Sequence, residues 1–341
     1  MKRVRDTDSG QPSSDKEQCS GQSASKQSCT REIRNDSLPR YVRVNPRRSL
    51  GASSPQDLKE AVSRALRGVA VTPVEWLSPW FNVYACHSNT QIGRTSGYNH
   101  GYLYGIDASS VAAVCCLDPR PGDKVLDLCC APGGKLCAIA DAMLPNGLVV
   151  GVDIAKHRLG TCRTVIDKYG INNALLALDD GTKWNPPVGV NWFASRKTAK
   201  RQRRSADESL LVEEYPGNFD KVLVDTQCSH DGVAKFNNKL TERQLSDRVP
   251  LLPDENQLAK LQIALLKNGF RLLCDGGALV YSTCSISKAQ NEEIIDSFLK
   301  DEPEAVLDPL PLQPTVLAAR PAVSARTWRL APVQPSYLET S

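Results

Sequence analysis

The chain has 341 residues, 41% of them hydrophobic and 23% charged, which leaves room for one large domain or two ordinary ones. That balance excludes a collagen, a coiled-coil rod and a wholly disordered chain. With 42 Lys plus Arg against 38 Asp plus Glu the formal charge is only +4, so any affinity for nucleic acid must come from local clustering.

No apolar run approaches the ~18 residues needed to cross a bilayer, and no membrane association is expected. The 12 cysteines lack the spacing of a disulfide framework. The adjacent pairs Cys115-Cys116 and Cys129-Cys130 sit inside apolar stretches, and a reducing compartment is the simpler reading. His87, His100, His157 and His230 are scattered, with no zinc-ligand spacing, so no structural metal is expected.

Residues 1–37 are rich in Ser, Gln and charge, with too little apolar surface to offset the entropy of ordering them, and are expected to form a disordered tail. Their basic start lacks the apolar segment of a secretory signal, and Asp6, Asp8, Asp15 and Glu17 argue against an acid-poor transit peptide. Nucleus and cytoplasm both stay open, with mitochondria disfavoured. From Leu38, LPRYVRVN reads as a strand and SPQDLKEAVSRALRG as a helix capped by Ser54 ahead of Pro55. These belong to a small α+β unit over 38–100.

From residue 101 to 341 strands alternate with helices, which predicts an α/β domain with a mainly parallel sheet covered on both faces. Strands are expected at 124–128, 148–153, 174–178, 221–225 and 278–283, and helices at 134–143, 155–168, 254–273 and 287–300. An insertion at about 183–217 carries Arg196, Lys197, Lys200, Arg201, Arg203 and Arg204. It reads equally as a solvated loop, a phosphate grip or a nuclear import signal. Trp76, Trp80, Phe81, Tyr84, Tyr98, Tyr102 and Tyr104 precede the first of these strands, and core packing is the expected use of most of them.

The first of these strands runs into VLDLCCAPGGK, where Gly133-Gly134 opens a helix and lets backbone approach a ligand. Such a turn also suits nucleotides, flavins or tight packing alone. Asp153, closing the second strand in GVDI, can accept both hydroxyls of a ribose, and Asp180-Gly181 lies just past the third. Without GxGxxG the set suits S-adenosylmethionine, a nucleoside with no phosphate to cradle.

KVLVDTQCSHDG puts Asp225 at the end of the fourth strand with Cys228 three residues on, and LVYSTCS puts Cys284 just past the fifth. A lone cysteine in such a chain is usually core filler. Two at adjacent strand ends, one beside an Asp, suit a defined chemistry. Carbon 5 of cytosine is too electron-poor to attack a methylsulfonium until a thiolate adds to carbon 6. An acid such as Asp225 can then hydrogen-bond ring nitrogen 3 or the amino group.

YLYGIDASSVAAV, VLDLCCAPGGK, GVDIAKHRL, FDKVLVDTQCS and YSTCSISKAQNEEII, in this order, resemble the Sun-family RNA (cytosine-5)-methyltransferases over about residues 38–332. The resemblance implies a Rossmann-like class I S-adenosyl-L-methionine-dependent fold acting on tRNA or rRNA. It further implies Cys284 as nucleophile, Cys228 in breakdown of the adduct and Asp225 orienting the base. Cys129, Cys130, Ala131, Pro132, Gly133, Gly134, Lys135, Asp153, Arg158 and Asp180, with Asp225, would bind the cofactor. Arg40, Arg43 and Asn45 would help hold RNA.

Two departures stand against the pattern. Gln227 replaces the proline usual before the first cysteine, which predicts a looser turn at Cys228. No closing glycine followed by an apolar strand is apparent before YLETS, which predicts an unpaired sheet edge beside Cys284 and a shortened gene product. Alternatives are a catalytically weak RNA-binding or assembly factor, and a methyltransferase acting on protein or a small molecule, which would leave both thiols without a role. A cytosine reaching a buried thiol must leave its stack, so an unpaired or flipped base is expected. Oligomeric state is not legible.

Overall fold

The computed structural model describes residues 38–186, 218–230 and 254–312 and the strand 326–332. The tail, most of the basic insertion and its Arg196 to Arg204 run lie outside the described residues. No helix among the described residues is long and apolar enough to cross a membrane.

A small antiparallel sheet comes first, built from β1 (Arg40–Val44), β2 (Val71–Pro73), β3 (Val83–Cys86) and β4 (Leu103–Gly105) in the order β2-β3-β1-β4. Its last strand lies just past residue 100. Helix α1 (Pro55–Ala65) starts as its sequence dictates, with Ser54 in extended backbone accepting from the Asp57 N–H at 3.1 Å. It packs Val62 and Leu66 against Val42, Val71, Tyr84 and Leu103, and the short α2 (Ser96–Asn99) borders the same core.

The larger sheet takes β5 (Lys124–Asp127), β6 (Leu148–Asp153), β7 (Ala174–Leu178), β8 (Phe219–Asp225), β9 (Leu273–Thr283), β10 (Ala305–Leu307) and β11 (Arg326–Pro332) in the order β10-β11-β9-β8-β5-β6-β7. The five strands from β9 to β7 are parallel. Helices α3 (Ala108–Leu117), α4 (Gly134–Ala142) and α5 (Lys156–Tyr169) cover one face, and α6 (Glu255–Arg271) and α7 (Glu292–Asp301) the other. The period of two is visible in the packing. On β8 and β9, Leu223 and Val280 enter the first core, while Val222, Val224, Leu279 and Tyr281 enter the second. Chain order reverses between β5 and β8, so the ligand crevice of such a sheet opens at the carboxyl ends of these strands.

Three expectations change. The edge beside Cys284 is paired: β11 runs antiparallel to β9 with Arg326 opposite Thr283 and Leu330 opposite Leu279, and β10 pairs β11 in turn. Backbone makes that ladder, so RTWRLAP serves without the expected glycine and apolar run. Second, α7 begins at Glu292 rather than 287, because Lys288–Gln290 form a 3-10 turn and Asn291 leaves helical geometry. There the Asn291 side chain accepts from the Thr283 hydroxyl and donates to the Ser285 and Ser287 carbonyls.

Third, Arg43 and Asn45, expected to help hold RNA, are fully buried. Arg43 donates to Asp141 on α4 at 2.9 Å and lies 3.9 Å from the Tyr104 ring centroid. Tyr104 and Arg47 donate to the same carboxylate at 2.9 and 2.6 Å. Asn45 donates to the Gly101 and Tyr169 carbonyls, and Arg40 to that of Thr90. The residues that the resemblance assigned to RNA form the seam joining the two sheets. Phe81, Tyr84 and Tyr104 are likewise core, and Trp80 donates to Asp118.

Candidate functional site

At the end of β5 the turn 128–133 crosses to α4 through Gly133, whose φ of +104° suits glycine and whose added Cβ would lie 2.8 Å from the Cys162 sulfur. Asp153 closes β6 almost wholly buried, accepting from Ala131 N at 3.2 Å and Ala155 N at 2.9 Å. Each of its oxygens keeps a lone pair for a ligand hydroxyl. Arg158 donates to the Ala131 carbonyl at 2.6 Å and lies 3.8 Å from Asp153.

Past β7, Asp180 takes the amide and hydroxyl of Thr182 on one oxygen, which holds its carboxyl below the ordinary value. Cys129 and Cys130 are not thiolate donors, since burial pushes Cys129 up, and a bond to Cys162 with burial does the same for Cys130. They supply backbone to the turn.

These residues fit a nucleoside cofactor without phosphates. Ile154, just past β6, and Leu178, the last residue of β7, have 71% and 51% of their surface exposed, an apolar ledge flanking Asp153. The cations nearby are engaged, Arg158 as above and Lys135 by Asp225 at 2.6 Å. One buried oxygen of Asp127, Oδ2, has no hydrogen-bond partner in the protein. Burial, then the neighbouring Asp225, pushes this carboxyl up to about 8.

On the other side of the switch point, Asp225 accepts from Lys135 on one oxygen and from the Ser282 hydroxyl at 2.8 Å on the other. Past it, the Cys228 and Cys284 sulfurs approach to 2.8 Å. The turn at Cys228 is held despite Gln227. Buried Gln262 of α6 donates to the Gln227 carbonyl, and Gln290 takes the Ser229 amide while donating to its hydroxyl. Side-chain bonds replace the missing proline.

His230 completes the cluster, with Nδ1 at 2.8 Å from Cys284 Sγ and 3.8 Å from Cys228 Sγ. The hydrogen bond from Cys284, with help from His230, pushes the Cys228 thiol down to about 5, and the same bond with burial pushes Cys284 up. His230 is pushed up by Cys228. By distance His230 belongs to Cys284, by charge to Cys228; the two agree once the thiols are treated as one unit carrying one negative charge. The three donor atoms, within 4.8 Å of one another, are also the group among the described residues that could hold a soft cation.

The structure thus gathers the strand-end residues read from sequence around one crevice. Sequence reasoning missed Ile154, His230, Ser282 and the two glutamines that fix the thiol loops. Only His230, two residues past Cys228 in TQCSH, carried a usable signal.

The sequence matches the family described as 16S rRNA methyltransferase RsmB/F over residues 114–334. The chain belongs to the RsmB/F methyltransferase family. A probable ribosomal RNA small subunit methyltransferase B of Bacillus subtilis is 29% identical over 213 residues, 62% of this chain and 40% of that protein. The human 28S rRNA (cytosine(4447)-C(5))-methyltransferase is 28% identical over 246 residues, 72% of this chain and 26% of that protein. This RsmB/F-family chain therefore spans less than half the length of these relatives. A crystal structure of a methyltransferase homolog protein from Pyrococcus horikoshii superposes with a TM-score of 0.59 at 25% identity, covering 86% of each chain. The fold is that of a Rossmann-like S-adenosylmethionine-dependent methyltransferase.

Proposed function

We propose that this RsmB/F-family chain methylates carbon 5 of a cytosine in RNA, rRNA or tRNA, through a covalent cysteine adduct. The observation that carries the reading is the meeting of Cys228 and Cys284, from two different strand ends, within 2.8 Å beside Asp225. A scaffold protein has no chemical need for that pair, and methyl transfer to an already nucleophilic oxygen or nitrogen needs no thiol.

S-Adenosyl-L-methionine is the cofactor, and when bound it supplies an electrophilic methyl group on a sulfonium. The turn from Cys129 to Lys135, Asp153, Arg158 and Asp180 would hold it, with Ile154 and Leu178 offering apolar surface. Cys284 adds to carbon 6 of an unstacked cytosine, which makes carbon 5 enamine-like and nucleophilic. Asp225, kept in place by Lys135 and Ser282, orients the ring through nitrogen 3 or the amino group. Carbon 5 then takes the methyl group, its proton is lost to solvent water, and the Cys284–carbon 6 bond breaks, with Cys228 assisting release.

Trapping with RNA containing 5-azacytosine tests this, because the nitrogen at position 5 carries no proton to lose and the adduct persists. The full chain with cofactor should give a denaturation-resistant RNA adduct that Cys284→Ala abolishes. Absence of any adduct from folded, cofactor-binding protein would reject the enzyme in favour of an RNA-binding factor. Sequencing the trapped RNA would name the substrate.

A further inference from the structure

His230 stands in left-handed backbone, φ +59°, a region that costs a residue with a side chain free energy and persists where the surroundings enforce it. Its imidazole there reaches Cys284 Sγ at 2.8 Å. Cys284 in turn touches Cys228, so three protonatable atoms share one contact cluster at the mouth of the crevice.

We propose that His230 is the base that activates the nucleophile: its Nδ1 takes one proton from the two-thiol pair, so that Cys284 attacks as a thiolate beside an imidazolium. The inference deepens the cytosine-5 reading and rests on it. The accepting ring is neutral with its hydrogen on Nε2. The Cys284 S–H bond breaks, the proton goes to Nδ1, and the sulfur electron pair forms the bond to carbon 6 while the ring π pair moves to carbon 5. After methyl transfer the carbon 5–H bond breaks with its proton going to solvent water, its electron pair forms the carbon 5–carbon 6 double bond, the Cys284–carbon 6 pair returns to sulfur, and Nδ1 returns its proton to that sulfur. The Cys228 proton remains as an S–H that hydrogen-bonds the thiolate.

The charges around His230 favour this ion pair. Cys228 on its own loop and Asp225 at the end of β8 favour the imidazolium, and burial and Arg158 on α5 oppose it, with the net direction upward. At Cys284 the hydrogen bond to Cys228, burial and the charges of Cys228 and Asp225 oppose a thiolate, and Lys135 on α4 favours it. The low value of the Cys228 thiol agrees with a pair that gives up its first proton easily.

The test is the pH dependence of Cys284 alkylation by iodoacetamide, read by peptide mass spectrometry on the full chain with EDTA present. Wild type is compared with His230→Gln, which keeps polarity without titrating, and His230→Gly, which relaxes the backbone. Wild-type Cys284 should react well below the ordinary thiol range of about 8.5, and both variants should lose about ten-fold or more at pH 6.5 and recover at pH 9. A glutamine variant that matches wild type overturns the proposal. So does a loss by the same factor at every pH, which would make His230 a positioning group only. A shifted alkylation profile without any azacytosine adduct would sink the cytosine reading and leave the base assignment standing.

Discussion

Asp127 carries a buried carboxyl whose charge the fold leaves poorly compensated. Its carboxyl is wholly buried, one oxygen has no partner, and its value of about 8 lies far above the ~3.9 of an unfolded chain. Between those values the native state holds a proton that the unfolded state has lost. Asp127 therefore makes stability fall as pH rises from about 4 to about 8, with no further change above. Asp127→Asn should remove this slope, with no gain near pH 4 and a gain of about 2–4 kcal/mol by pH 8.5, where an uncompensated buried charge is avoided. Urea unfolding at three pH values measures it, and a pH-independent difference would refute the account. Nothing in VLDLCC marks this Asp as strained, because its partners come from β8 and α4. Cys228 and Cys284 were legible because strand ends can be read from apolar runs. The direction in which a loop turns His230 depends on φ at one residue, which sequence does not display.

Elements were read well where period and caps agree. The strands 148–153 and 174–178 coincide with β6 and β7, and Ser54 caps α1 as expected. Errors fall where side chains compete with backbone: Gln290 and Asn291 leave the helical pattern to tie down Ser229, Thr283 and Ser285. β11 was overlooked for another reason, since a strand that only completes a ladder needs register more than composition. A chain ended before Arg326 would expose the β9 edge next to the thiols and leave β10 unpaired. Light scattering and sedimentation should show it self-associating, with lower thermal stability than the full chain. A monomeric truncated chain with unchanged melting would mean that the ladder contributes little.

At the scale of the whole molecule the two sheets meet on one carboxylate. Asp141, itself buried, takes Arg43, Arg47 and Tyr104, and Tyr104 stacks on Tyr169 at 3.7 Å. Asp141→Ala leaves Arg43 buried without its counter-charge and should cost about 3–5 kcal/mol in urea unfolding. Arg43→Met combined with Asp141→Leu should recover a large part of that loss, since the charges leave together; no recovery would show that Arg47 and Tyr104 dominate the junction. The seam also restricts how such a chain can be recombined. A recognition unit held by exposed loops can be exchanged between relatives as a cassette, but here the cut would pass through a shared ion pair. A working chimera would have to transplant β1, β4 and α4 as one block. The inherited unit is thus a set of contacts that begins in one sheet and ends under the cofactor turn of the other.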